Sequence, residues 1–292
     1  QFRGEQQSVI ETLLKGQNAL LIMPTGFGKS LCYQLPALLL PNPVLVISPL
    51  IALMQDQVKK AQSHGIQAIC IHSLLSASER QSRYNQLRHL KTNIQLVFVA
   101  PERFNKSEFL EAIANIKWGM LAIDEAHCIS QWGHDFRPDY SRIAEFRKLL
   151  GHPPTLAMTA TATLQVQKDI IENIGIHGTQ AFLGGIERNN LILSVHEVFG
   201  LSDKIEWVCN NLQQGPGIIY FSLIKTLKAF SQELHSRSIS HVCYHGDLPP
   251  HQRQSNQNKF LSEHNLLHRA QPSRPSLILA TPAFGLGIDK PD

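Results

Sequence analysis

Short, continuously apolar runs recur along the chain, and longer stretches with apolar residues at helical spacing lie between them. Residues 18–23, 43–48, 66–71, 94–99, 118–123 and 154–158 read as strands. Runs such as Val44-Leu-Val-Ile47 and Leu96-Val-Phe-Val99 lack alternation, as strands covered on both faces do. Residues 29–40, 50–63, 76–91 and 163–174 read as the intervening helices. Strands that alternate with helices predict a parallel α/β sheet. Residues 179–190 contain Gly184-Gly185 and end in Arg188-Asn-Asn190, which reads as a boundary. A second β/α series follows, with strands near 191–198, 217–222, 241–245 and 277–281. The expected organisation is one lobe over 1–183, a linker over 184–190 and a second lobe over 191–292.

Composition narrows this only slightly. At 292 residues and 43% hydrophobic content, the chain can bury two cores. A net charge of +4 permits a phosphate-binding surface without requiring one. The five cysteines (Cys32, Cys70, Cys128, Cys209, Cys243) are far apart and form no Cys-x-x-Cys pair, so neither zinc nor a disulfide framework is expected. None of the fourteen histidines shows the spacing of a metal motif. No run of about 18 apolar residues exists, and the N-terminus does not resemble a signal peptide. Reduced thiols make an intracellular protein the expectation.

Two segments carry chemistry. Met23-Pro-Thr-Gly-Phe-Gly-Lys-Ser30 joins the first strand to the first following helix. A strand, a Gly-containing loop and a helix N-terminus aim several backbone N–H groups at one point, which favours an anion. Lys29 would reach the β- and γ-phosphates of a nucleoside triphosphate, and the Ser30 hydroxyl would ligate magnesium. The usual pattern has Gly where this chain has Met23, so the match is to Gly28-Lys29-Ser30 and the loop shape. The second segment, Asp124-Glu-Ala-His127, follows the apolar strand 118–123. Asp124 would hold magnesium through water, and Glu125 would orient or deprotonate the attacking water. Taken alone, the two acids would read as a helix cap and His127 as structural; with both segments present, Lys29, Asp124, Glu125 and His127 are the expected catalytic residues.

Together with Ser48-Pro-Leu-Ile-Ala-Leu-Met-Gln-Asp-Gln57, the whole stretch from Asp124 to Tyr140, Met158-Thr-Ala-Thr-Ala162, Gly217–Ser222, Tyr244-His-Gly246 and Ala280–Asp289, these segments resemble RecQ-family DNA helicases of superfamily 2. The resemblance spans nearly the whole chain and implies two RecA-like lobes, ATP and Mg2+ as cofactors, and single-stranded and partly duplex DNA as partner. It implies an ATP-dependent helicase moving 3′ to 5′ in DNA repair and recombination. Arg3 and Gln6 would read adenine. Pro24, Thr25, Gly26, Phe27, Gly28, Lys29 and Ser30 would cradle phosphates, with Gly287 and Asp289 contributing from the second lobe. Gln131, Trp132, His134, Asp135, Phe136 and Arg137 would form an aromatic-rich loop coupling DNA contact to hydrolysis. Stacking there is worth about 1–3 kcal/mol per base. Thr159 and Thr161 would link hydrolysis to strand movement.

Ser48, Pro49, Leu50, Pro101, Glu102, Arg103, Tyr220, Ser222, His245, Gly246, Thr281, Phe284 and Gly285 would track the DNA backbone, although Ser-Pro and Pro-Glu after a strand are also ordinary helix starts. Residues 262–276, with His264, His268, Arg269 and Arg274, look like an inserted solvated loop or an extra duplex contact. The chain does not begin with Met, opens inside the Phe2–Gln6 motif and stops just beyond Asp289. It is expected to be part of a longer protein, and no Gly-Arg-x-Gly-Arg segment occurs in it. In the family such a segment supplies an arginine finger worth about 10³–10⁵ in rate, so slow hydrolysis is expected. A monomer is expected, with unknown repair partners. The alternatives are a nucleotide-gated DNA clamp that does not unwind, and a P-loop kinase or metabolic ATPase. The last leaves Trp132, Phe136 and the second lobe unexplained.

Overall fold

The computed structural model describes residues 2–89, 94–132, 136–184, 191–211, 217–261, 277–282 and 284. The chain divides into two compact units, Gln1–Arg188 and Asn189–Asp292.

In the first unit the order is α1 (Gln6–Leu14), β1 (Ala19–Ile22), α2 (Leu31–Leu39), β2 (Val44–Ile47), α3 (Ile51–Ser63), β3 (Ala68–Ile71), α4 (Ala77–His89), β4 (Leu96–Val99), α5 (Ser107–Ile113), β5 (Met120–Ile123), α6 (Ile143–Leu149), β6 (Thr155–Thr159), α7 (Leu164–Ile174) and β7 (Gln180–Leu183). The strands form one sheet in the order β3-β4-β2-β5-β6-β1-β7. Every pairing is parallel, with Ile22 opposite Thr159 and Ile47 opposite Ile123.

The apolar runs lack alternation because both faces are covered. Leu20, Ile22, Leu45 and Leu121 pack under α4 to α7 through Tyr84, Phe109, Phe146 and Ile170. Ala19, Leu21, Val44 and Val46 pack under α1 to α3 through Val9, Tyr33 and Met54. Phe104 and Phe146 stack with ring centroids 3.6 Å apart. Truncating a ring so placed costs about 3–5 kcal/mol. Because all the strands run one way, their carboxyl ends share one edge of the sheet, where open α/β sheets bind ligands.

The second unit contains α8 (Gly200–Asn211), β8 (Gly217–Tyr220), α9 (Ile224–Ser236), β9 (His241–Tyr244), α10 (Pro250–Leu261) and β10 (Leu277–Ala280). Its described strands form a parallel sheet in the order β8-β10-β9. Ile205, Phe230 and Leu234 cover one face, and Phe260 and Phe284 cover the other.

Three expectations need correction. Residues 191–198 are not a strand: they carry no ladder, and Ile192 and Val195 are 96% and 95% exposed. A run rich in Leu, Ile and Val supplies strand propensity, but a strand also needs a partner for its backbone groups. Conversely, β7 lies in the stretch read as boundary. It pairs with β1 at the sheet edge and buries only Phe182, so no apolar run announces it. The first helix after the glycine loop begins at Leu31, because Lys29 and Ser30 belong to the turn. Residues 185–190 of the linker, and 262–276, lie outside the described residues.

Candidate functional site

The loop after β1 is shaped by two glycines with left-handed backbones, Gly26 (φ +80°) and Gly28 (φ +79°). Thr25 to Gly28 are exposed, as a ligand-facing loop must be. Gln6, 3% exposed, holds this loop from below. Its Nε2 donates to the Phe27 and Gly28 carbonyls at 2.9 and 3.0 Å, and its Oε1 accepts from the Arg3 N–H at 2.8 Å. A Cβ on Gly28 would sit 2.9 Å from that Nε2. The amide expected to read adenine is thus engaged by the chain itself, and a base would have to draw it away. Arg3 is exposed.

Lys29 Nζ donates to the Met23 carbonyl at 2.9 Å, across the mouth of the loop. Ser30 precedes α2 without capping it through its side chain. The departure at Met23 has a structural counterpart. Its buried side chain occupies the space a Cβ on Gly184 would need, with Met23 Cγ at 2.7 Å. In the sequence Gly184 reads only as part of the boundary, because its packing role depends on a neighbour distant along the chain.

Asp124 stands at the carboxyl end of β5, held by its N–H bond to the Ile47 carbonyl at 2.8 Å. Its half-buried carboxyl is pushed well above the usual carboxylate range by burial and by Glu125, against the pull of Lys29 and His127. Lys29 and Asp124 therefore share one electrostatic neighbourhood. Tyr33, whose hydroxyl is likewise pushed up by burial and then by Asp124, lies there too. Glu125 adopts a left-handed backbone (φ +48°, ψ +46°), which is costly for a side chain with a Cβ. Its N–H returns to Asp124 Oδ1 at 3.0 Å.

His127, 4% exposed, extends this cluster. Its Nδ1 lies 3.3 Å from Glu125 Oε2 and 2.9 Å from Thr159 Oγ1. Thr159 Oγ1 donates to the Thr161 carbonyl at 3.1 Å, so toward His127 it accepts, and Nδ1 carries the proton. The Tyr140 hydroxyl donates to the Asp124 carbonyl at 3.1 Å. That bond ties the far end of the aromatic-rich segment to the acids.

Two adjacent acids in a partly buried setting suit a cation: one or two carboxylates suffice for Mg2+, which keeps several waters. Ser30 and Asp124 would hold it. No group of three or more His, Cys, Asp or Glu side chains placed to hold a metal ion occurs among the described residues.

The other expected residues divide by burial. Gln131 and Trp132 are exposed, Trp132 by 78%, and Phe136 by 38%. Arg137 donates to the Pro49 carbonyl at 3.0 Å, bringing the aromatic-rich segment to Ser48-Pro49-Leu50. Ser48 and Arg103 are buried, and Ser48 Oγ and Arg103 Nε have no hydrogen-bond partner among the described residues. Pro101 is buried, Glu102 half-buried and Thr161 exposed, while Thr159 is fully buried. In the second unit, Tyr220, Ser222 and Gly246 are exposed. His245 is 3% exposed, with no hydrogen-bond partner for Nδ1 among the described residues, and Thr281 is buried. Phe284 is corrected from DNA contact to core residue. It is 2% exposed and packs on Tyr244 at 4.9 Å and Phe260 at 6.0 Å. His134, Asp135, Gly285, Gly287 and Asp289 lie outside the described residues.

Residues 3–170 match the DEAD/DEAH box helicase family, and residues 203–292 match the helicase conserved C-terminal domain. RecS of Bacillus subtilis (strain 168), a probable ATP-dependent DNA helicase, is 39% identical over 100% of this chain and 57% of its own length. The ATP-dependent DNA helicase RecQ of Pasteurella multocida is 37% identical over 99% of this chain and 44% of its own. The chain thus spans about half the length of the curated relatives it matches. Among solved structures, the helicase MrfA bound to DNA superposes with a TM-score of 0.73 at 18% identity, covering 99% of this chain and 43% of that one. Dbp5 of S. cerevisiae bound to RNA and ADP BeF3 gives 0.69 at 16% identity, covering 97% and 72%. These likenesses establish the shared fold of two RecA-like lobes. The chain belongs to the DEAD/DEAH box helicase family and is similar along its whole length to RecQ-type members.

Proposed function

We propose that this chain is the motor core of a RecQ-type helicase that couples ATP hydrolysis to 3′-to-5′ movement on single-stranded DNA and to duplex unwinding in repair and recombination. One observation carries the reading. The phosphate loop and the Asp124–Glu125 pair follow parallel strands of one sheet at its carboxyl edge, and the Tyr140 hydroxyl ties the chain just beyond the exposed Trp132 segment back to the Asp124 carbonyl. A triphosphate in the loop would take Lys29 from the Met23 carbonyl onto its phosphates. Mg2+, when bound, would neutralise charge on the phosphates. Glu125, held by its left-handed backbone and by His127, would orient the attacking water. Trp132 and Phe136 offer flat faces to bases, and Arg137 adds charge.

The relatives named as ATP-dependent DNA helicases support ATP and DNA as substrates. No helix among the described residues is long and apolar enough to cross a membrane, which is compatible with work on chromosomal DNA. The 292 residues contain no Gly-Arg-x-Gly-Arg segment, so slow turnover by this chain alone belongs to the reading. The test is strand displacement by the longer protein on duplexes bearing a 3′ or a 5′ single-stranded tail. Unwinding only from the 3′-tailed duplex, abolished by Lys29→Ala, is the expected result. ATP turnover without displacement of either strand would reject it in favour of a DNA clamp.

A further inference from the structure

The loop that carries Trp132 is anchored at its start by a residue far away in sequence. Ser130 is 1% exposed, and its Oγ donates to Asp169 Oδ2 at 2.5 Å. The same oxygen accepts the backbone N–H of Trp132 at 3.1 Å. One hydroxyl therefore passes a bond from a carboxylate on α7 to the residue that presents the indole. A short hydroxyl-to-carboxylate bond is stronger than a neutral one, and it polarises the hydroxyl toward accepting a second bond. Asp169 is itself held by Gln165, whose Nε2 donates to Oδ1 at 2.9 Å.

Helix α7 is not a passive support. It begins directly after the Thr159–Thr161 segment, with Thr163 capping it by accepting the Val166 N–H at 3.3 Å. That segment meets the acid cluster through the His127–Thr159 bond. The β6–α7 unit thus touches the acid turn at two points, one beside Glu125 and one beneath Trp132. At the far side of the loop, the Arg137 N–H returns to the Cys128 carbonyl at 2.9 Å. Trp132 is 78% exposed between these anchors, whereas Trp118 is 5% exposed.

We propose that Asp169 is a positioning residue that transmits movement of the Thr159–α7 unit to Trp132 through the Ser130 hydroxyl, and so sets how strongly single-stranded DNA drives ATP turnover. Asp169 touches neither nucleotide nor DNA. Its effect runs through Ser130, and the inference rests on the reading that Trp132 meets DNA.

The test compares Asp169→Ala and the isosteric Asp169→Asn with Gln165→Ala, which removes the carboxylate's other partner but leaves Ser130 alone. All are made with Trp207→Phe, so that Trp132 is the exposed indole and Trp118 the buried one. The measurements are DNA-free ATP turnover, the factor by which oligo-dT raises it, and the change in indole emission on adding oligo-dT. In Asp169→Ala the DNA-driven factor is expected to fall roughly tenfold and the emission change to shrink, with DNA-free turnover within about twofold. Asp169→Asn should fall between, since an amide oxygen still accepts from Ser130, and Gln165→Ala should match the parent. Unchanged stimulation and emission in Asp169→Ala would overturn the proposal. So would an equal loss of DNA-free and DNA-driven turnover. A parent protein with neither DNA-driven turnover nor an emission change would instead defeat the assignment of Trp132 to DNA, and this inference with it.

Discussion

His127 Nδ1 and Thr159 Oγ1 lie 2.9 Å apart in the fully packed interior of the first unit, and the direction of their bond is fixed. The Thr159 hydrogen goes to the Thr161 carbonyl, so the histidine donates. The acid turn and the Thr159–Thr161 segment are therefore tied by this bond. Thr159→Val keeps the volume but removes the acceptor, leaving the His127 donor without this partner. We expect DNA-stimulated ATP turnover to drop by about 5- to 30-fold while nucleotide affinity changes little. Steady-state kinetics with and without single-stranded DNA, beside a nucleotide titration, would show this split; equal losses in both would contradict it.

Lys29 spans the loop mouth to the Met23 carbonyl. Lys29→Ala should weaken binding of an ATP analogue at least about tenfold, since a charge-assisted contact is worth about 1.5–3 kcal/mol. Calorimetric titration of the analogue measures it, and DNA affinity should survive the substitution.

Gln6 braces the loop through two carbonyls. Gln6→Ala should loosen the Phe27–Gly28 turn and weaken nucleotide binding by about 3- to 10-fold, at roughly 1 kcal/mol for the lost bonds. Hydrogen exchange over residues 25–30 should rise in the nucleotide-free protein. Unaltered exchange there would show that the glycines shape the loop without Gln6.

Gly184 and Met23 make a size-matched pair. Gly184→Ala places a methyl 2.7 Å from Met23 Cγ and should cost about 1–3 kcal/mol. A thermal melt of Gly184→Ala, alone and combined with Met23→Ala, would reveal the coupling as a smaller loss in the double variant than the two single losses summed.

Asp124 sets a pH dependence with a definite sign. Its carboxyl holds a proton in the folded state to higher pH than in the unfolded chain, because burial and Glu125 disfavour its charge. Stability of the nucleotide-free, Mg2+-free protein should therefore fall as pH climbs above the ordinary carboxylate range. Asp124→Asn removes that penalty, so it should raise the melting temperature at neutral pH and lose its advantage toward pH ~4. An advantage that instead grows on acidification would contradict the stated environment.

Much of the first unit is legible in the apolar runs, because strands covered on both faces declare themselves without a partner in view. The Lys29 loop and Asp124 are legible too, since each directly follows such a run. The remainder depends on contacts distant in sequence. Nothing near Gln6 says that its amide would be taken by Phe27 and Gly28, and nothing near Asp169 points to Ser130. Leu191 to Val198 shows the converse: an apolar run signals a strand, but pairing is a property of neighbours. Phe284 sits in a motif-like segment, yet its ring serves the packing of Tyr244 and Phe260.

The most direct test of the account is the rate of ATP hydrolysis with and without single-stranded DNA, measured on the same preparation of the protein and on Lys29→Ala. DNA should raise the rate by more than about thirtyfold from a low starting value, and Lys29→Ala should abolish turnover in both conditions. Equal rates with and without DNA, or turnover that survives the loss of Lys29, would contradict it.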